Sequence, residues 1–126
     1  MKTVIASPNA PAALGPYSQG IRQGQMVFFA GQIPVDPKTG NLIDGDAAAQ
    51  TRQALENLSA LLHAAGLGFE NVVKTTVFLA DLANFTAMNE VYAHYFKSPF
   101  PARSTIQVAA LPKGAAVEIE AVAIAG

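Results

Sequence analysis

DAAAQTRQALENLSALLHAAG at residues 46–66 and VVKTTVFLA at residues 72–80 decide the architecture. In the first, Ala54, Leu55, Leu58, Leu61, Leu62 and Ala65 recur at spacings of three and four, which gathers them on one side of a helix. Asp46 stands where a side-chain oxygen can cap the first free N–H groups, and Gly66 stands where a left-handed residue ends the last turn. The second segment is β-branched and alternates around Lys74 and Thr76, as a strand with two unlike faces does. With β-prone MVFFAGQI (26–33) ahead of the helix, the order predicts a right-handed β-α-β crossover.

On the N-terminal side, Lys2 to Ala6 reads as a short strand, followed by the turn-rich SPNAPAALGP (7–16). Its prolines fix φ and remove backbone donors, so it is expected to wrap a surface or line a mouth. SQGIRQG (18–24) and MVFFAGQI, turning at Gly24 and Gln25, read as a hairpin, and Gly31 marks a bend or a close backbone approach. On the C-terminal side, Phe85, Met88, Tyr92, Tyr95 and Phe96 form a second helical stripe, read as core, which must end before Pro99 and Pro101. Two strands close the chain, RSTIQVAA (103–110) and AVEIEAVAIA (116–125), joined by LPKGA. The order β-β-β-α-β-α-β-β predicts one α+β domain over residues 1–126, a mixed six-stranded sheet with both helices on one face. The other face then needs a cover, and a second copy of the chain is the simplest one.

Composition narrows the function. The chain has 126 residues, enough for one core. Hydrophobic residues make up 51% and charged residues 13%, which is low in charge for a free monomer and points to apolar surface meeting a partner subunit. A net charge of −1 supplies no broad positive field, which disfavours nucleic acid as a partner. No apolar run is long enough to span a bilayer, and the N-terminal twenty residues lack an unbroken apolar signal core, so neither membrane insertion nor export is expected. With no cysteine there is no disulfide, thiolate nucleophile or thiolate metal site, and a reducing cytoplasm suits the chain.

Arg103 is the only arginine of the C-terminal half and follows PFPA at the start of a strand, where prolines restrict the approach. A guanidinium is a rigid fork of donors that matches a carboxylate in two-point contact. Arg103 is therefore either the holder of a small anionic substrate or one half of a structural ion pair with Glu118 or Glu120. Those two glutamates share one face of the last strand, with Val117, Ile119, Ala121 and Ala123 on the other. Each is either a solvated surface acid or a partly buried base able to hold a water. In a direct hairpin closed by LPKGA, Arg103 would face a position near Val122 and not Glu118, so either the two strands are not neighbours or the site draws on several segments. Tyr17, between prolines and glycines, suits a site mouth or a packed surface. His63 and His94 lack metal-ligand spacing and an orienting acid, and Ser104 has no nucleophile-elbow context, so no metal site is expected.

Four segments together, NAPAALGPYSQG (9–20), AGQIPVDPKTG (30–40), VVKTTVFLADLANFTAMNEVYAHYF (72–96) and FPARSTIQVAALPKGAAVEIEAVAI (100–124), resemble the reactive-intermediate deaminase family, specifically its RidA subgroup. The resemblance implies a chorismate-mutase-like fold and a homotrimer with a barrel-like core and an active site in each cleft between subunits. It implies that Arg103 grips a substrate carboxylate, that Glu118 holds or activates the attacking water, and that Tyr17 lines the pocket. Backbone groups near Gly31 and Thr105, with Asn89, would complete the wall. The implied reaction is hydrolysis of 2-imino acids and their enamine tautomers, such as 2-iminobutanoate and 2-iminopropanoate, to 2-keto acids and ammonia. It needs no cofactor and would protect pyridoxal-phosphate enzymes. Two rivals remain: a non-catalytic binder of small carboxylic acids on the same fold, and an endoribonuclease or translation inhibitor, which would need a basic surface.

Overall fold

Asp46 caps the first helix, its carboxylate accepting from the Ala49 N–H at 3.0 Å, and Gly66 at φ +74 follows its end. A computed structural model describes all of residues 1–126. It contains strands β1 (Thr3–Ile5), β2 (Gly20–Gln23), β3 (Met26–Gln32), β4 (Val72–Leu79), β5 (Ala102–Gln107) and β6 (Val117–Ile124), and helices α1 (Ala47–Ala64) and α2 (Phe85–Tyr95). The β2–β3 hairpin turns on Gly24, whose φ of +61 puts it at the first position of a two-residue turn.

The six strands form one mixed sheet in the order β1-β2-β3-β6-β4-β5. Only β4 and β5 run parallel, joined by α2 as a crossover. α1 links β3 to β4, and the last strand enters the gap between them, antiparallel to both. β5 and β6 are thus not neighbours, because β4 lies between them. LPKGA carries the chain across that strand and does not close a hairpin, with Lys113 and Gly114 both at positive φ.

The sheet has two unlike faces, and period-2 alternation assigns each residue. Val27, Phe29, Val77, Leu79, Val117, Ile119, Ala121 and Ala123 point to the helices and join Leu55, Leu58, Leu61, Leu62, Met88 and Phe96 in the core. The opposite face shows exposed Met26, Phe28, Ile106 and Ile124 between the polar Lys74, Thr76 and Glu120.

Two buried amides tie loops to this frame. Asn57 on α1, 1% exposed, donates to the carbonyls of Ile33 and Val35 at 3.1 and 2.9 Å and accepts from Gln53 at 2.9 Å. Gln19 donates to the carbonyls of Ser7, Ala10 and Pro11 and accepts from the Ser7 N–H at 2.8 Å, fastening the proline-rich segment beside the sheet. Prolines leave carbonyls without matching local donors, and one long amide supplies them.

Candidate active site

Arg103 lies on the helix side of the edge strand β5, level with Thr75 on β4. No carboxylate comes within ion-pair distance of it, so the structural ion pair left open by the sequence does not form within the chain. Its guanidinium carbon sits 4.8 Å from the ring centre of Tyr92 and 5.6 Å from that of Phe85, both on α2. Phe85, Asn89 and Tyr92 are spaced i, i+4, i+7 and so share the face of α2 turned towards this edge. Tyr92 stacks on Phe96 at 4.3 Å, and its phenol bonds the Thr75 hydroxyl at 2.7 Å. Burial pushes the Tyr92 phenol above its ordinary pKa, opposed by the Thr75 hydrogen bond and the Arg103 charge, so it stays neutral beside the cation.

Asn89, Tyr92, Ala93, Phe100, Pro101 and Arg103 line an open cleft of about 340 Å³. Thr105, two residues along β5, shares the Arg103 face. The Asn89 Oδ1 and Thr105 Oγ1 atoms are buried with no hydrogen-bond partner in the protein. Buried polar atoms without partners are rare and costly, and both belong to residues that the family resemblance places in the pocket wall, Thr105 there through its backbone.

A second group lies across the sheet. Gly31 falls in a register shift between Phe29 and Gln32, where a Cβ would collide with the Glu118 carboxylate. This is the close approach expected at that glycine. Glu118 is half-buried and its pKa is raised, first by burial and then by the charge of Glu120. Tyr17 and Gly31, with Leu14, Ile33, Val35 and Lys113, border a separate cavity of about 190 Å³. The Tyr17 hydroxyl oxygen accepts from the Leu14 N–H at 3.3 Å, which fixes the ring against its loop.

Within one chain the two groups are apart. Glu118 pairs with Phe78 on the open face, whereas Arg103 pairs with Thr75 on the helix face. The chain brings together Arg103, Asn89 and Thr105 on one side and Glu118 with Gly31 on the other, the latter glycine also lining the cavity of Tyr17. His63 and His94 are exposed, and no three His, Asp or Glu side chains converge on a point. Sequence reasoning missed the aromatic seat of Arg103: it assigned Phe85 and Tyr92 to the core, which holds for Tyr92 but not for Phe85. The signal was Asn89 between them on the same stripe. Phe85 is in fact 41% exposed.

Fold and site together define the class: a mixed-sheet α+β protein with an unneutralised arginine in a cleft of small-molecule size. The sequence model of the family described as Endoribonuclease L-PSP matches residues 7–125, and the chain belongs to that family. It is 52% identical over 126 residues to a human protein named 2-iminobutanoate/2-iminopropanoate deaminase, covering 100% of this chain and 92% of that one. A Yersinia pestis structure from the conserved Rid protein family superposes with a TM-score of 0.96 at 50% identity, covering 98% of this chain and 99% of that one. E. coli TdcF, solved with bound serine, gives 0.94 at 46% identity over 98% and 99%. The Rid resemblance carried by the four quoted segments thus extends along the chain.

Proposed function

We propose that the protein is a hydrolytic deaminase of 2-imino acids, adding water across C=N to give a 2-keto acid and ammonia. The observation that supports this best is Arg103, a guanidinium with no acid beside it in a cleft also lined by Asn89, whose buried Oδ1 has no partner. A carboxylate, common to every 2-imino acid, is the group such a fork binds. The human relative's name gives this substrate class, and the serine bound to TdcF carries the same carboxylate.

The chemistry asks little of the protein. A 2-imino acid is electrophilic at C2, so holding its carboxylate and delivering a water to that carbon suffices, with no cofactor. Glu118, its pKa raised, accepts a proton from the water as oxygen bonds to C2 and the C=N pair moves to nitrogen, which takes up that proton; the new hydroxyl then loses its proton to nitrogen as C=O forms, the C–N bond breaks and ammonia leaves. Arg103 and Glu118 lie on opposite faces of one sheet, so this reading places the site between copies, Arg103 of one subunit meeting Glu118 of the next. A homotrimer joined through the apolar open faces accomplishes that, and the exposed Met26, Phe28, Ile106 and Ile124 support it. The setting proposed is the cytoplasm, where pyridoxal-phosphate dehydratases release such imines.

The family's description names an endoribonuclease, but 8 Lys and Arg against 9 Asp and Glu supply no basic surface for a phosphate backbone. The test generates 2-iminobutanoate from threonine with a dehydratase and follows ammonia release and semicarbazide trapping. The expected result is hydrolysis faster than in buffer alone, with no cleavage of single-stranded RNA by the same preparation. Unchanged imine decay would overturn the proposal.

A further inference from the structure

Arg103 carries a positive charge in an open cleft, and no carboxylate neutralises it. What supports it is aromatic: the guanidinium carbon is 4.8 Å from the Tyr92 ring centre and 5.6 Å from that of Phe85. The Tyr92 ring cannot turn away. Phe96 stacks on it at 4.3 Å with 25° between planes, and its hydroxyl is held by Thr75 at 2.7 Å, the residue that pairs with Arg103 across β4 and β5. Tyr92 is itself only 5% exposed, so the ring is a fixed surface and not a mobile flap.

We propose that Tyr92 is a positioning residue for substrate binding, its ring serving as a shelf that holds the Arg103 guanidinium without competing for its hydrogen bonds. An acidic partner would orient the arginine equally well, but it would occupy the same N–H groups that a substrate carboxylate needs. A π face attracts the cation through the ring quadrupole and leaves the edge of the guanidinium free. Phe85 provides the second, outer wall. The shelf therefore does two things a carboxylate cannot do together: it fixes the fork and leaves its charge for the ligand. This inference rests on the deaminase reading for its substrate, but not for its binding test.

The test compares Tyr92→Phe with Tyr92→Leu. Both lose the Thr75 hydrogen bond and only the second loses the ring, so their difference reports the shelf alone. With 2-iminobutanoate, Tyr92→Leu is expected to raise KM roughly 5- to 30-fold with a smaller change in kcat, and Tyr92→Phe to restore most of the affinity. Calorimetric titration with 2-ketobutanoate, the product that keeps the carboxylate, should show the same order. Titration with its uncharged amide should show no difference between the two variants. Phe85→Leu, at an exposed position, gives a smaller loss in the same direction and covers the case in which Tyr92→Leu does not fold. Equal affinities of the leucine and phenylalanine variants for 2-ketobutanoate would overturn the shelf, as would a loss that falls on kcat alone. If the wild type binds 2-ketobutanoate but does not hydrolyse the imine, the deaminase reading fails while the titrations still decide the shelf.

Discussion

Arg103 and Glu118 ask different things of their surroundings, and substitutions separate the two. Arg103 gains nothing from an ion pair within the chain, so Arg103→Ala is expected to leave the melting temperature nearly unchanged while abolishing most deamination. Arg103→Lys keeps the charge but loses the planar fork and much of the contact with the Tyr92 ring, and kcat/KM is expected to fall at least about tenfold. Lysine activity close to wild type would mean that simple charge attraction suffices. Glu118 has a carboxyl pKa raised by burial and by Glu120, so the folded chain binds its proton more tightly than the unfolded chain does. Stability conferred by that proton is present at low pH and is lost as pH rises from the ordinary carboxylate value through the raised one. Glu118→Gln removes the titration: thermal denaturation should show a flatter pH profile above pH 4.5, with turnover reduced. Parallel profiles for mutant and wild type would contradict this.

Among the elements, those whose pattern is local were legible from sequence and those defined by long-range pairing were not. α1, with its Asp46 cap and Gly66 stop, and the Gly24 turn follow from residues within a few positions of each other. The entry of β6 between β3 and β4 does not, since nothing in AVEIEAVAIA names its neighbours. That single strand order explains why no direct hairpin register joins Arg103 to the last strand: β4 lies between β5 and β6. It also explains why the faces of Arg103 and Glu118 could not be compared before the topology was in hand. The aromatic seat of Arg103 was hidden for a different reason: Phe85 and Tyr92 have the spacing of any buried stripe, and the cation they meet comes from another element. The loop after β3 was likewise silent about its anchor on α1. Asn57→Leu removes both donations and leaves the Val35 carbonyl unsatisfied, while the Ile33 carbonyl keeps the Val35 N–H, which should cost about 1–3 kcal/mol and lower the melting temperature on the order of 5–10 °C. A change of under a degree would show that solvent replaces the amide.

For the molecule as a whole, the open face sets the expectation. Large apolar side chains exposed on one side of a sheet resemble half of a core, and obligate interfaces have that character. Light scattering at micromolar protein should give close to three times the 13.1 kDa chain mass, and a mass of one or two chains would remove the shared cleft. The opposite-face placement of Arg103 and Glu118 has a genetic consequence. If each pocket takes its arginine from one copy and its glutamate from the next, two impaired alleles can rescue each other. Arg103→Ala and Glu118→Gln chains, unfolded together at equal amounts and refolded as mixed rings, would assemble about one intact pocket in four. Activity should rise above the average of the two parents by a corresponding fraction of wild type, whereas a pocket built wholly within one chain would leave the mixture at that average.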